Sequence, residues 1–316
     1  MLSCGLSNET SVFRMAKHQV EPVAGVIHSY AHNKIAFEFA PQGNKKVVVF
    51  VAGLMDGLMT VPYLPHLAIA LSKVGYSLIQ IEITSSHIGW GTGSLSRDSN
   101  EIAQLVNYLR SETGGAREII GLMGHSTGCQ NTIHYLTRQP RNDTKKFSPI
   151  DFGILQAPVS DRFAAAQNMS EEEMEESLEV ARKMIQEKRH KEIMPSKYTN
   201  RFFGVPINAY RWNSLMAIRG DDDFFSPDLD QTDFDSTFGK LDKPLLVLYS
   251  GADEFVAKEI DKEELMQKWK TSAGSNWSPH SKVVKGALHN IGPGSTPDAE
   301  QDAIDSVIMF ISDLST

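Results

Sequence analysis

The chain has 316 residues, of which 41% are hydrophobic and 22% charged, an ordinary globular composition that excludes long disorder, a collagen-like repeat and a coiled coil. The formal net charge of -8 argues against attraction to phosphate backbones or anionic lipid, so we expect neither a nucleic-acid nor a membrane partner. Two cysteines, Cys4 and Cys129, are too few for a disulfide framework or a cysteine-rich metal site.

The first twenty residues lack the uninterrupted apolar core of a signal peptide, and no run of eighteen apolar residues follows them. The low cysteine content suits a reducing compartment. We therefore expect a cytoplasmic protein.

Short β-rich runs begin the regular structure. GVIHSYA and KIAFEFA, within residues 24–40, flank the turn-prone His32-Asn33 and predict a hairpin. Continuous apolar runs then predict strands that are buried on both faces, at 47–53, 77–83, 118–124, 152–158 and 244–250, and residues 281–286 predict a last strand.

Helical spacing of apolar residues appears between and after these strands. Positions i, i+3, i+4 and i+7 are apolar within 102–109, and the same kind of spacing recurs within 304–311. Strands that alternate with helices predict an α/β fold, with a mostly parallel central sheet and helices on both faces.

Residues 159–240, called the insertion below, interrupt this alternation because they contain no convincing central strand. Ser170 and Glu173 form a capping-box pattern, and an apolar stripe within 174–185 continues the helix that it would start. We predict a core domain formed by residues 20–158 and 241–316, with 159–240 inserted as a cap.

Residues 124–128, Gly-His-Ser-Thr-Gly, match G-x-S-x-G between a predicted buried strand and the helical-looking CQNTIHYLTR. This is the context of the nucleophile elbow, in which the serine occupies a strained turn above the edge of the sheet in an α/β-hydrolase fold. Ser126 is therefore the predicted nucleophile. His125 is expected to pack beside the elbow.

A serine hydroxyl needs a base to take its proton, and histidine suits that role. His289, just beyond the last predicted strand, has the chain-order position that this fold uses, and His280 is its nearest rival. Asp253 follows the strand at 244–250 and can orient the histidine, with Glu254 as the alternative acid.

The developing oxyanion needs two N–H donors. We predict the backbone amide of Thr127, directly after the serine, and that of Leu54, in the loop after the first parallel strand. Asp56 in the same loop is either a turn residue or a substrate contact.

The glycine-rich GWGTG at 89–93 does not match G-x-G-x-x-G, and no H-E-x-x-H or paired-cysteine motif occurs, so we expect neither a cofactor nor a metal. Trp90 in this stretch is a further candidate for contact with substrate.

Several motifs together carry a family resemblance: FVAGLMDGL, SSHIGWGTGSLSRD, MGHSTGCQN, ILQAPVSDR and SGADEFV. They resemble a family of fungal and plant α/β-hydrolases that includes intracellular esterases of fusarinine-type siderophores. The resemblance implies a serine esterase with Ser126, Asp253 and His289 as its triad, and a small-molecule ester substrate that is a ferric siderophore in some members. The first loop reads VAGL instead of the His-Gly of many hydrolases.

Two alternatives to siderophore hydrolysis remain open. The triad chemistry serves other esters, thioesters and lactones equally, and the fold also occurs in non-catalytic ligand receptors.

The segment 221–235 contains seven aspartates and three phenylalanines. It is either a solvated acidic loop anchored by its phenylalanines, or a pocket rim whose Asp221, Asp222 and Asp223 attract a cationic substrate.

Overall fold

The computed structural model describes residues 22–137 and 147–314. Cys4 and the first twenty residues, on which the expected absence of a signal peptide rests, lie outside this part of the chain. Eight strands occur in it: β1 (Gly25–Ala31), β2 (Lys34–Phe39), β3 (Lys46–Val51), β4 (Tyr76–Ile81), β5 (Ile119–His125), β6 (Phe152–Gln156), β7 (Leu245–Ser250) and β8 (Lys282–Val284).

These strands form one sheet in the order β1-β2-β4-β3-β5-β6-β7-β8. The β1–β2 hairpin turns at Asn33, which has a φ of 55°, and β2 pairs antiparallel with β4. All the other pairings are parallel. The predicted α/β-hydrolase fold, with its mostly parallel sheet, is confirmed, and each predicted strand lies within a few residues of its observed position.

The described helices are α1 (Leu64–Lys73), α2 (Leu95–Arg110), α3 (Gly128–Thr137), α4 (Asp161–Ala166), α5 (Glu171–Gln186), α6 (Ser196–Thr199), α7 (Ala209–Met216), α8 (Gln231–Asp235), α9 (Lys262–Ala273) and α10 (Ala299–Asp313). Apolar residues of α1 and α10 pack on one face of the sheet, and those of α2, α3 and α9 pack on the other. No helix in the described ranges is long and apolar enough to cross a membrane.

The insertion begins with a short helix and the predicted capped helix. The hydroxyl of Ser170 accepts from the Glu173 amide (3.1 Å), and the Glu173 carboxylate accepts from the Ser170 amide (3.0 Å), which forms the predicted capping box of α5. Residues of α4, α5 and α7 bury a separate apolar cluster around Trp212. Leu54 and Trp90, which belong to the core domain, are part of the same cluster and so join the insertion to the core.

The last part of the insertion packs differently, because residues 224–241 join the apolar layer on the sheet. Phe225 lies 5.5 Å from Trp269 of α9 between ring centroids, and Phe238 stacks on the same tryptophan at 5.5 Å. The phenylalanines of the acidic segment are therefore core residues. The division into a core domain and a cap, with its boundary at residue 240, therefore stays a prediction.

This packing predicts that Phe225→Ala lowers the free energy of unfolding by about 3–5 kcal/mol, because it leaves a cavity beside Trp269. Urea denaturation measures the change. Ile218→Ala, at an exposed position of the same insertion, is the matched control and should stay within about 0.5 kcal/mol of wild type. A small effect of Phe225→Ala would mean that this segment does not contribute to the core.

Candidate active site

Ser126 lies in a tight turn between β5 and α3. Its φ of 54° is in the left-handed region, which non-glycine residues seldom adopt and which is typical of a functionally constrained position. A Cβ at Gly128 would lie 2.1 Å from the carbonyl oxygen of Val51, so only glycine lets the helix start this close to β3. The turn leaves Ser126 partly exposed at the carboxyl edge of the sheet.

His289 and Asp253 come from two loops that meet at this edge. Asp253 follows β7, and His289 follows β8. The Nδ1–H group of His289 donates to Oδ2 of Asp253 over 2.8 Å, and the second carboxylate oxygen accepts from the Phe255 amide (3.0 Å). Both oxygens of the buried Asp253 are thus satisfied, and the histidine ring is held in one tautomer with Nε2 free to accept a proton.

The two rival residues occupy other positions. Glu254 accepts from the backbone amide of His289 (2.9 Å), so it anchors the backbone of the loop and not the ring. His280 pairs at the surface with Asp313 (2.8 Å) and does not line the cavity that contains Ser126.

The pKa values of the two histidines beside Ser126 are shifted in opposite directions. Burial acts to lower the pKa of His289, but the hydrogen-bonded carboxylate of Asp253, together with the charges of Glu254 and Asp56, holds that pKa above the ordinary value of 6.5. Burial, followed by the nearby His289, lowers the pKa of His125 to about 4. Since His125 also donates through Nδ1 to Oε1 of Gln156 (2.6 Å), it is held in a fixed position beside the ring of His289.

The predicted oxyanion donors lie on the two loops that approach Ser126. In the described structure, neither the Thr127 amide nor the Leu54 amide donates a hydrogen bond to a protein acceptor. A Cβ at Gly53 would lie 2.6 Å from Cβ of Ser126, so this loop passes very close to the nucleophile. Leu54 lines the cavity described next, whereas Thr127 is buried beside it.

A cavity of about 550 Å³ opens above these groups, a size that suits a small-molecule ligand. Ser126, His289 and Leu54 line its core side. Phe202 and Phe203 of the insertion also line it. The insertion therefore supplies part of the binding surface and none of the predicted triad.

Asp56 and Trp90, two predicted substrate contacts, take different places. Asp56 lines the cavity, where its Oδ2 accepts from the Gly53 amide (3.1 Å) and so also holds the turn of the oxyanion loop. Trp90 is buried behind the wall of the cavity, with its ring edge-on to Phe202 and Phe203.

The aspartates at 221–223 lie outside the lining of this cavity. Asp222 is buried and pairs with Arg211 (2.6 Å), and Asp223 pairs with Arg162 (3.1 Å). Asp221 accepts from the hydroxyl of Tyr210 (2.6 Å). Because two of the three charges are already paired, the placement does not support recruitment of a cationic substrate by this segment.

Two residues of the site were missed by sequence analysis. The side-chain amide of Gln156 donates to the backbone carbonyl of His289, and Asp161, at the start of the insertion, lines the cavity. The only signal for Gln156 was a polar residue in the otherwise apolar run FGILQ, and Asp161 follows it closely in a motif that already carried the resemblance.

Among the described residues, no group of three or more His, Cys, Asp or Glu side chains is arranged to hold a metal ion. Cys129 lies directly behind the elbow, fully buried, and its thiol donates to the carbonyl oxygens of Gly124 and Gln156 at 3.2 Å.

Comparison with known proteins gives a family match and two informative relatives. The family described as "Protein of unknown function (DUF1749)" matches residues 15–312. A UPF0613 protein of Schizosaccharomyces pombe is 38% identical over 308 residues, which cover 90% of this chain and 95% of that protein. The fusarinine C esterase of Aspergillus fumigatus is 32% identical over 339 residues, which cover 92% and 96%.

Among solved structures, a siderophore hydrolase from Aspergillus fumigatus, EstB, superposes with a TM-score of 0.78 at 31% identity. The match covers 93% of this chain and 98% of that one.

The site geometry predicts the titration of two histidines. In an NMR titration, the ring of His289 should show a pKa above 6.5, and Asp253→Asn should lower it because the stabilising negative charge is lost. His125 should remain neutral down to about pH 4. Spectra of His289→Gln and His125→Gln assign the two signals, and a His289 pKa that Asp253→Asn leaves unchanged would contradict the pairing.

Proposed function

Because this chain belongs to the DUF1749 family, as the resemblance of its motifs predicted, we propose that it uses Ser126, His289 and Asp253 as a catalytic triad. The chain is a carboxylic-ester hydrolase, as the sequence predicted. One observation carries the assignment of the triad: a strained serine and a histidine hydrogen-bonded to a buried carboxylate line one cavity.

In the proposed reaction, Oγ of Ser126 attacks the ester carbonyl carbon while Nε2 of His289 takes the hydroxyl proton. Asp253 stabilises the imidazolium, and the amides of Thr127 and Leu54 donate to the oxyanion. The tetrahedral intermediate formed by this attack collapses and expels the alcohol, which receives the proton from His289. Water, deprotonated by the same histidine, then attacks the acyl-enzyme and releases the acid and the free serine.

The proposed substrate is a fusarinine-type siderophore, a cyclic ester built from hydroxamate units. Support comes from the relatives named a fusarinine C esterase and a siderophore hydrolase, and from a cavity of about 550 Å³ with aromatic walls. Opening the ring would weaken the chelate and allow release of its iron. The iron would arrive with the substrate. The cysteine-poor composition supports a cytoplasmic location for this reaction.

We expect Ser126→Ala to lose hydrolysis by roughly 10⁴-fold or more, because the covalent route requires the hydroxyl. A fluorophosphonate probe should label wild type and the control Ser312→Ala, whose serine lies on the exposed side of α10, but not Ser126→Ala.

Incubation of wild type with a ferric fusarinine-type siderophore, followed by mass spectrometry, should show one added water per opened ester. Labelling without ring opening would retain the serine hydrolase and reject this substrate.

The choice between the two neighbouring acids gives a second test. Asp253→Asn should lower kcat by about 10⁴-fold, because an amide at this position favours the wrong tautomer of the ring. Glu254→Gln keeps an oxygen for the backbone amide of His289 and should stay within about tenfold of wild type. The reverse order of the two effects, measured by steady-state kinetics, would reassign the acid.

A further inference from the structure

Asp161 is a buried carboxyl group in the wall of the catalytic cavity. It begins α4, shortly after β6, and is 6% exposed. Nε2 of Gln130 donates to its Oδ2 over 2.8 Å. Oδ1 has no hydrogen-bond partner within the described ranges, and it is not among the polar atoms sealed from solvent. Since Asp161 lines the cavity, Oδ1 is the atom that it offers to a ligand.

The surroundings of Asp161 disfavour its charge. Burial, and then the nearby Asp222, raise the pKa of Asp161 to about 8, and the charge of Asp223 acts in the same direction. Arg211 and the hydrogen bond from Gln130 oppose the shift without cancelling it. Arg211 is itself paired with Asp222 at 2.6 Å, so its positive charge acts on Asp161 together with the negative charge of Asp222.

In the protonated carboxyl group of Asp161, the proton lies on one particular oxygen. Gln130 donates to Oδ2, so that oxygen acts as the acceptor and the proton belongs on Oδ1. Val159 and Ala164, which lie near Asp161 in the chain and also line the cavity, are apolar and offer no acceptor side chain. At neutral pH the cavity therefore presents a hydroxyl donor here, and not an anion.

We propose that Asp161 is a substrate-binding residue that donates a hydrogen bond from Oδ1 to a neutral carbonyl oxygen of the substrate, such as an amide oxygen, away from the scissile ester. The inference rests on the proposed hydrolysis at Ser126. It assigns the cavity a preference for esters that carry a second, uncharged acceptor over purely aliphatic esters and over acids, whose carboxylates would share the cavity with the carboxyl groups of Asp56 and Glu254.

The test compares two series of 4-nitrophenyl esters, one of N-acetyl amino acids with acyl chains of increasing length and one of alkyl acids of matched length. Asp161→Asn keeps the pattern of the protonated acid, because its oxygen can accept from Gln130 while its N–H points into the cavity. Asp161→Leu has a similar shape and no donor. Thermal unfolding of each variant checks the fold.

We expect Asp161→Leu to raise KM about tenfold for the best amide ester, the loss of roughly one hydrogen bond, with kcat nearly unchanged. The alkyl esters should be unaffected, and Asp161→Asn should resemble wild type. Equal effects of Asp161→Leu on both series, or an Asn variant as impaired as the Leu variant, would overturn the role of Asp161. Hydrolysis of neither series by wild type would instead overturn the proposed function, and this inference with it.

The pH dependence adds an independent readout. Above about pH 8 the wild-type KM for the amide ester should rise relative to the alkyl ester, because a carboxylate cannot donate, whereas Asp161→Asn should show no such rise.

The folded state holds the proton of Asp161 more tightly than the unfolded state, in which the ordinary pKa of the group is 3.8. Wild type should therefore lose stability relative to Asp161→Asn as pH rises from 4 to 8. Parallel stability curves would overturn the protonated state.

Discussion

The side-chain amide of Gln156 makes the contacts on which the geometry of the site depends. At the end of β6, its Oε1 accepts from His125 (2.6 Å) and from the hydroxyl of Tyr63 (3.2 Å). Its Nε2 donates to the hydroxyl of Ser250 (3.1 Å) and to the backbone carbonyl of His289 (3.0 Å). One buried amide thus ties the ends of three neighbouring strands to the loop that carries His289, the proposed base. An apolar residue here would leave several buried polar groups unpaired, each at a cost of about 1–3 kcal/mol.

The central sheet could be predicted from the sequence because its strands are buried on both faces and therefore appear as continuous apolar runs. The elbow was predictable for a related reason, since a strained turn between strand and helix needs small residues at fixed spacing around Ser126. Asp253 and His289 were placed by chain order, which parallel strands impose on their carboxyl-terminal loops.

The contacts that could not be predicted join residues whose proximity depends on the complete fold. Gln156 meets groups from four separate segments, and no local pattern indicates that they converge. The run of aspartates at 221–223 was predicted to be either a solvated loop or a pocket rim, but Asp222 is buried and paired with Arg211 on α7. That pair influences the cavity at a distance, through the field of Asp222 on Asp161.

The division of labour between core and insertion bears on how such an enzyme can diversify. All three proposed catalytic side chains come from core loops, while the aromatic wall and Asp161 belong to one contiguous stretch of chain. Recombination or accumulated substitutions in that stretch can therefore change what is recognised and leave the reaction chemistry intact. The buried pair of Arg211 and Asp222 limits this freedom, because an exchanged segment must carry both partners or neither. The segment that must be exchanged as a whole to transfer specificity therefore includes this salt bridge as well as the residues that line the cavity.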